Sequence, residues 1–248
     1  MSVTVPAAQA ERARAIMIEL FPEGFEEVDH DGSVELAAYT DPAGEERLWA
    51  AFGGARSDDV EEGWEDRWRA FHRPVRIGPI WVGPPWEKPD ADAIPVVIDP
   101  GRAFGTGAHA TTRLCLELLL DVPRGDLLDA GCGSGVLAIA ASKLGFEPVY
   151  AVDLDPQAIE ATERNALANG VNVAARLADA TVDPVPPTAT AVVNVALDLD
   201  STIAERLVCQ RIITSGYLAA ESPELPGYRR TERREAEGWA ADLHLRTQ

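Results

Sequence analysis

The stretch that decides the fold is LLDAGCGSG, residues 127–135. It begins like a buried strand, and three glycines at alternate positions then lead directly into an apolar segment with helical spacing. Glycine lets backbone approach a ligand closely, and the amides at a helix start attract anionic groups. A plain strand-to-helix turn does not need three glycines and an acid. The segment is therefore interpreted as a cofactor-binding turn that uses Asp129, Gly131, Gly133 and Gly135.

Two further acids end the next two predicted strands. Asp153 lies 22 residues after Gly131, where a carboxylate can accept both hydroxyls of an adenosine ribose. Asp155 stands before Pro156 at a helix start, so helix capping is its expected role. Asp179 ends the following strand, and the sequence leaves two roles open for it: a contact to an adenine amino group, or a solvated strand end.

Apolar strands alternate with helices from residue 96 onward, which predicts a doubly wound, Rossmann-like α/β sheet. The predicted strands are 96–98, 127–129, 149–153, 174–178, 191–195 and 212–215, and the predicted helices are 111–120, 135–144 and 156–169. The glycine spacing is GxGxG. The nicotinamide fingerprint GxGxxG requires a third glycine at position 136, where this chain has Val136. This spacing disfavours a nicotinamide dehydrogenase.

The residues before this region are organised differently. Residues 1–60 show a strand–helix–strand–strand–helix order, which predicts a small α+β domain with an antiparallel sheet. Residues 61–95 are rich in tryptophan and proline, which predicts a linker that packs by its tryptophans, although an aromatic substrate box is an alternative. Residues 96–248 then form the cofactor-binding domain.

Composition excludes several function classes. With 41 acidic and 22 basic residues, the chain has a formal net charge of -19. Such a charge repels nucleic acids and anionic membranes and favours a basic partner. The alternative is that the charge serves solubility alone. The three cysteines form no CxxC pair, so neither a disulfide scaffold nor a metal site is expected. The first residues lack a basic region followed by an apolar stretch. We therefore expect a cytoplasmic protein.

The glycine turn and the two strand-ending acids together resemble class I methyltransferases that use S-adenosyl-L-methionine. The resemblance covers residues 125–215. A second segment, IDPGRAFGTGAHATT at 98–112, resembles the signature PGxAFGTGxHxTT of the ribosomal protein L11 methyltransferase family, PrmA. Residues 193–197, VNVAL, resemble the asparagine-centred segment that this family carries after its fourth strand.

This resemblance implies a complete function. A small α+β, ferredoxin-like domain would recognise a basic ribosomal protein of the large subunit, and the second domain would methylate its lysine and N-terminal amines. The alternatives are a methyltransferase for another protein or a small amine, and a cofactor-binding protein without activity.

The signature segment supplies further candidate residues. Phe104, with Gly105 and Thr106, lies in a glycine-rich loop with little core to join, so its ring is expected to stack on adenine. Thr112 begins a helix with Thr111, where hydroxyls and amides can hold the carboxylate of the cofactor's amino acid. His109 has no second metal ligand nearby and is interpreted as a hydrogen-bond donor that orders the loop.

Asn194 is the catalytic candidate. Methyl transfer to nitrogen needs a neutral amine whose lone pair lies in line with the sulfur–methyl bond. A carboxylate would stabilise the ammonium form, whereas an amide oxygen accepts an N–H bond without holding the proton tightly. Alignment and desolvation then supply most of the effect. The alternative is a structural asparagine at a strand end.

The C-terminal part departs from the family pattern. Residues 222–230 contain Pro223, Pro226 and Gly227 where the family has a helix. This difference predicts that the C-terminal part of the sheet is trimmed.

Overall fold

The structure is a computed structural model that describes residues 2–21, 26–30, 32–38, 42–54, 73–99, 107–195 and 197–247. The chain divides into two compact units, Met1–Arg67 and Trp68–Gln248. Within the described residues, no helix combines the length and the apolar character that a membrane-spanning helix needs.

The first unit has the predicted order of elements. Its elements are β1 (Ser2–Pro6), a 3-10 turn (Ala7–Gln9), α1 (Ala10–Leu20), β2 (Glu26–His30), β3 (Ser33–Ala37) and α2 (Pro42–Phe52). The strands form an antiparallel sheet in the order β1-β3-β2. Met17 and Leu48, one from each helix, are fully buried with Leu36 of the sheet. A ferredoxin-like fold has a fourth strand after its second helix, and the described residues of this unit hold three.

The second unit begins with a small sheet. It consists of β4 (Val75–Ile77), β5 (Ile80–Gly83) and β6 (Ile94–Val97), with β5 antiparallel to β4 and parallel to β6. Ile80, Val82 and Val96 are buried in the main core of this unit. The predicted linker boundary at 95/96 therefore cuts through a sheet, because residues 75–83 supply two of its strands. The sequence of residues 61–71 is also compatible with a helix, but these residues lie outside the described part of the chain.

A seven-stranded sheet forms the centre of the second unit and confirms the α/β prediction. Its strands are β7 (Leu127–Ala130), β8 (Val149–Asp153), β9 (Ala174–Leu177), β10 (Thr188–Asn194), β11 (Cys209–Leu218), β12 (Tyr228–Ala236) and β13 (Trp239–Arg246). Their order is β12-β13-β11-β10-β7-β8-β9. Five neighbouring strands pair in parallel, in the order β11-β10-β7-β8-β9. β13 is antiparallel to both of its neighbours, β11 and β12.

Helices cover both faces of this sheet. Three of them, α3 (Ala110–Asp121), α4 (Val136–Lys143) and α5 (Pro156–Asn169), contribute buried residues to one apolar cluster. A fourth helix, α6 (Leu197–Arg206), places Ile203 and Ala204 in a separate cluster, on the side of β7 that Leu128 and Ala130 face. Helices on both faces of a largely parallel sheet are the doubly wound arrangement that the sequence predicted.

The prediction of a trimmed C-terminal sheet is wrong. β11, β12 and β13 are long, and they complete the seven strands. What replaces the helix of the family pattern is a loop at 219–227, which the two prolines keep from becoming helical. Leu225 from this loop is buried in the same cluster as α6 and fills part of the space that a helix would cover.

Candidate functional site

Parallel pairing brings the predicted residues to one edge of the sheet. β7 lies between β8 and β10, with Ala130 opposite both Val152 and Val193. The carboxyl ends of these strands therefore meet, and ligands of open α/β sheets bind at such ends. The glycine turn, Asp153 and Asn194 follow or end the three strands.

The glycine turn folds over the end of β8. The amides of Gly131 and Cys132 both donate to the carbonyl of Val152, at 2.8 and 3.1 Å. All three glycines of the turn have positive φ, between 53° and 84°. The Cys132 thiol is buried, which raises its pKa, so this cysteine is held neutral and supplies no thiolate.

Asp129 binds a backbone amide in the first turn of α4. Its carboxylate is fully buried, and Oδ2 accepts a hydrogen bond from the amide of Ala138 at 3.0 Å. Burial, opposed by this hydrogen bond and aided by the charge of Asp153, raises the pKa of Asp129 to about 7. Among the described residues, Oδ1 has no hydrogen-bond partner. The side chain thus orients the helix whose amino end faces the site, and direct contact with a cofactor stays a prediction.

Asp153 is fixed at the end of β8 by two backbone amides. Oδ2 accepts from Gly133 at 2.9 Å, and Oδ1 accepts from Asp155 at 3.0 Å. Each oxygen keeps a second lone pair for a hydroxyl group. Asp155 caps α5 by accepting from the amide of Gln157 at 2.8 Å, which confirms its predicted role. The ribose-binding role of Asp153 stays a prediction, with its orientation now explained.

Leu154 was missed by the sequence reasoning. It follows Asp153 directly, and its apolar side chain is 70% exposed. An exposed leucine beside a fixed carboxylate offers one apolar contact and one hydrogen-bond acceptor, which are the two features that a nucleoside would need at this edge. The available signal was an apolar residue between a strand-ending acid and a capping aspartate.

Asp179 is tied into its own turn. Its Oδ1 accepts from the amide of Thr181 at 2.8 Å and from the hydroxyl of Thr181 at 2.6 Å. The Thr181 hydrogen bonds hold the pKa of Asp179 below its usual value. The side chain therefore shapes the turn after β9, and an adenine contact remains a prediction.

The start of α3 is capped by His109. Its Nδ1 accepts from the amide of Thr111 at 3.4 Å, and its ring packs edge-on against Trp239, with ring centroids 4.9 Å apart. The same Nδ1 lies 2.8 Å from the hydroxyl of Thr111, and these contacts order the chain at the start of α3. The predicted donor role of His109 stays a prediction. Thr112 is buried in the first turn of α3. Phe104, Gly105 and Thr106 lie outside the described residues.

Asn194 is the last residue of β10 and is half-buried at the shared edge. It pairs in register with Ser215 of β11. Within the described part of the chain, no residue hydrogen-bonds its side-chain amide. The amide thus keeps its donors and its acceptor for a molecule that enters beside the glycine turn.

Comparisons with known proteins identify the family. The family model "Ribosomal protein L11 methyltransferase (PrmA)" matches residues 10–232. The ribosomal protein L11 methyltransferase of Symbiobacterium thermophilum is 40% identical over 205 residues, which cover 75% of this chain and 66% of that protein. The protein of the same name from Shewanella piezotolerans is 52% identical over 115 residues, covering 45% of this chain and 39% of that protein.

A solved structure gives the same result. The ribosomal protein L11 methylase of Lactobacillus delbrueckii subsp. bulgaricus superposes with a TM-score of 0.62 at 27% identity, over 71% of this chain and all of that chain. The alignments to the two curated relatives span 66% and 39% of their lengths, less than two thirds in each case. The family match covers most of the present sequence, and the chain belongs to the ribosomal protein L11 methyltransferase (PrmA) family.

Proposed function

We propose that this protein transfers methyl groups from S-adenosylmethionine to lysine and N-terminal amines of ribosomal protein L11. The observation that carries the proposal is the position of Asn194. A neutral amide ends β10 at the edge where the glycine turn and Asp153 lie, and no described residue engages its side chain. The family membership and the names of the relatives support both the reaction and the substrate.

The residues at this edge fit the cofactor. When bound, S-adenosylmethionine supplies a methyl group that is activated by its sulfonium charge. Asp153 accepts the ribose hydroxyls with the lone pairs that its two backbone amides leave. Leu154 would pack on the purine, and Thr112 would hold the carboxylate of the amino acid end. Asp179 would contact the adenine amino group, and the expected cofactor contacts of Phe104, Gly105 and Thr106 belong to the same proposal.

Asn194 aligns the substrate amine. Its side-chain oxygen accepts an N–H bond from the neutral amine and turns the nitrogen lone pair toward the methyl group. An amide stabilises ammonium less than a carboxylate does, so the amine stays nucleophilic near neutral pH. Each transfer would release S-adenosylhomocysteine and leave a cationic amine, which loses a proton to solvent before it can react again. One site can then methylate the same amine more than once, because an amine with fewer N–H bonds can still rotate into line.

The first unit is proposed to recognise the protein substrate. Residues 1–67 hold 17 of the 41 acidic residues but only 5 of the 22 basic ones, so the charge is concentrated there. Such a surface favours a basic ribosomal protein over nucleic acid or an anionic membrane. A ferredoxin-like recognition domain of residues 1–60, a methyltransferase unit that includes the small sheet at 75–97, and a cytoplasmic location belong to the same proposal.

Transfer of a labelled methyl group tests the proposed reaction. The protein is incubated with radiolabelled S-adenosylmethionine and ribosomal proteins stripped from the large subunit. One labelled band at L11 is the expected result. Label on other proteins or on small amines points to a different methyltransferase. Cofactor binding without any transfer points to a binding protein that lacks activity.

Salt separates recognition by the first unit from catalysis. If the acidic first unit attracts a basic substrate, KM for L11 should rise severalfold between low salt and about 0.3 M salt, where charges are screened within a few ångströms. Under the same conditions, kcat should change little. A KM that does not depend on salt would contradict the electrostatic part of the proposal.

A further inference from the structure

Val195, the residue after Asn194, contacts the ends of both strands that flank β10. Its backbone lies against Gly216 of β11, and its side chain lies over Gly131, which follows β7. Three neighbouring strands therefore meet at one residue. Neither contact is part of the cofactor or substrate chemistry described above.

The contact with β11 depends on glycine. Gly216 has a φ of +111° and sits where the register between β11 and β13 shifts from Ser215 to Tyr217. A Cβ atom on Gly216 would lie 1.8 Å from the carbonyl oxygen of Val195 and 2.6 Å from its carbonyl carbon. Both are backbone atoms, so the clash cannot be relieved by turning a side chain. Only glycine allows the chain to leave β10 across the end of β11.

The contact with β7 uses the valine side chain. A Cβ atom on Gly131 would lie 2.6 Å from Cγ1 of Val195, so this methyl group occupies the space above the glycine turn. Val195 is half-buried and packs against the apolar cluster that includes Ala130 and Val193. The backbone of Val195 is thus held from one side and its side chain from the other.

We propose that Val195, clamped between Gly131 and Gly216, is a positioning residue that sets the direction of the Asn194 amide. Side-chain hydrogen bonds from the described residues do not fix that amide, so its direction follows from the backbone at 194–195. The inference rests on the proposed role of Asn194 in amine alignment. It assigns a role in turnover to Gly216, a residue that the proposed reaction does not otherwise use.

The asparagine content of the chain permits a direct spectroscopic test. The sequence holds four asparagines: Asn165, Asn169, Asn172 and Asn194. Selective 15N-asparagine labelling therefore gives four side-chain amide signals, and Asn194→Ala identifies one of them by its loss. Asn165 and Asn169 donate to backbone carbonyls within the core, at Ser134 and Val97, and serve as internal references.

Gly216→Ala is the decisive variant, and Gly227→Ala is its matched control. Gly227 has a φ of +80°, but a Cβ atom there meets nothing within 4 Å, so the control carries the backbone strain without the clash. Gly216→Ala should shift or broaden the Asn194 signal and leave the two reference signals in place. It should lower kcat by about tenfold or more, while the cofactor Kd and KM change by less than about threefold. Gly227→Ala should change none of these.

Val195→Ala keeps the test decisive if Gly216→Ala fails to fold. It removes the methyl groups above Gly131 but leaves the backbone free of clashes. A moved Asn194 signal and a kcat loss of about threefold are expected, since part of the clamp remains. An Asn194 signal and a kcat both equal to wild type, in whichever variant folds, would overturn the proposal. If wild-type protein does not methylate L11, the proposed function fails, and the amide signals still decide the clamp.

Discussion

In the half of the sheet formed by β7, β8 and β9, polar side chains lie at strand ends and helix starts, where they hold backbone amides that face the site. Asp129, Asp153 and Asp155 each accept from such amides. In the half formed by β11, β13 and β12, polar side chains are buried between strands and a loop. The first half holds the strand ends at which the cofactor is proposed to bind, and the second half holds the loop at 219–227, where the resemblance predicted a helix.

The second half depends on Asp242. This fully buried carboxylate on β13 accepts from the hydroxyl of Tyr217 at 3.0 Å and pairs with Arg233 at 3.4 Å. Arg233 in turn donates to the carbonyls of Ala219 and Glu221 at 2.8 and 2.7 Å. This ion pair, whose arginine is partly buried, and the two carbonyl bonds tie the loop at 219–227 to β12 and β13. Burial lowers the pKa of nearby His244 to about 4, which keeps that ring neutral.

The largest expected effect is a loss of stability from a substitution in the second half of the sheet. Asp242→Ala removes the buried carboxylate that the Tyr217 hydroxyl, Arg233 and Arg230 share, which should lower the free energy of unfolding by about 3–5 kcal/mol. Urea denaturation measures the loss. Asp90→Ala is the control, because its pair with Arg76 is exposed and screened by solvent, so its loss should change stability little. Equal losses in the two variants would show that the buried pair is not what holds this half.

The next effect concerns the first half and its dependence on pH. Asp129 has its ordinary pKa of 3.8 when unfolded and a pKa of about 7 when folded, so the folded state binds more protons between these values. Stability from this group is therefore lost as pH rises through that interval, by about 2–4 kcal/mol in total. Asp129→Asn should remove this pH-dependent loss of stability, because an amide does not ionise. The local structure should be kept, because the amide oxygen can still accept from Ala138.

Denaturant unfolding at pH 5 and pH 8 measures this difference. The variant should gain stability relative to wild type at the higher pH. His244 contributes an opposite trend below its ordinary pKa, since its folded pKa is lowered, but that trend is common to both proteins and cancels in the comparison. The same wild-type-to-variant difference at both pH values would contradict the raised pKa.

The smallest of the three effects concerns cofactor affinity in the first half of the sheet. Asp153→Ala should weaken S-adenosylmethionine binding by about 1.5–3 kcal/mol, because charge-assisted hydrogen bonds to the ribose are lost. Asp155→Ala is the matched control: it should lower stability by about 1 kcal/mol through the lost helix cap and leave the affinity unchanged. Calorimetry decides. Unchanged affinity in Asp153→Ala would place the ribose elsewhere.

Sequence reasoning succeeded where local signals agree with the fold. The bounds of β8 and α5 are as predicted, since an apolar run ends at Asp153 and the helix has Pro156 at its start and Gly170 in the left-handed region at its end. The cap at Asp155 was predicted for the same reason. The first half of the sheet is built from such local signals.

The second half could not be predicted in this way. β12 has the sequence YRRTERREA, in which six of nine residues are charged and most favour helix. It forms a strand because it lies at the sheet edge, where charged side chains remain solvated and discourage further pairing. The contacts of Val195 could not be predicted from the sequence either, because they join residues from three strands that are distant in sequence.

Methyl transfer by Asn194 variants tests the central claim most directly. Asn194→Ala and Asn194→Asp are compared with wild type in single-turnover transfer to L11, with cofactor binding measured by calorimetry. Both variants should bind cofactor nearly as wild type does and transfer at least about tenfold more slowly. Raising the pH should partly restore Asn194→Asp, because its carboxylate stabilises the ammonium form of the amine, and should restore Asn194→Ala less. Transfer by Asn194→Ala at the wild-type rate, with cofactor bound, would contradict the account and make Asn194 a structural residue at a strand end.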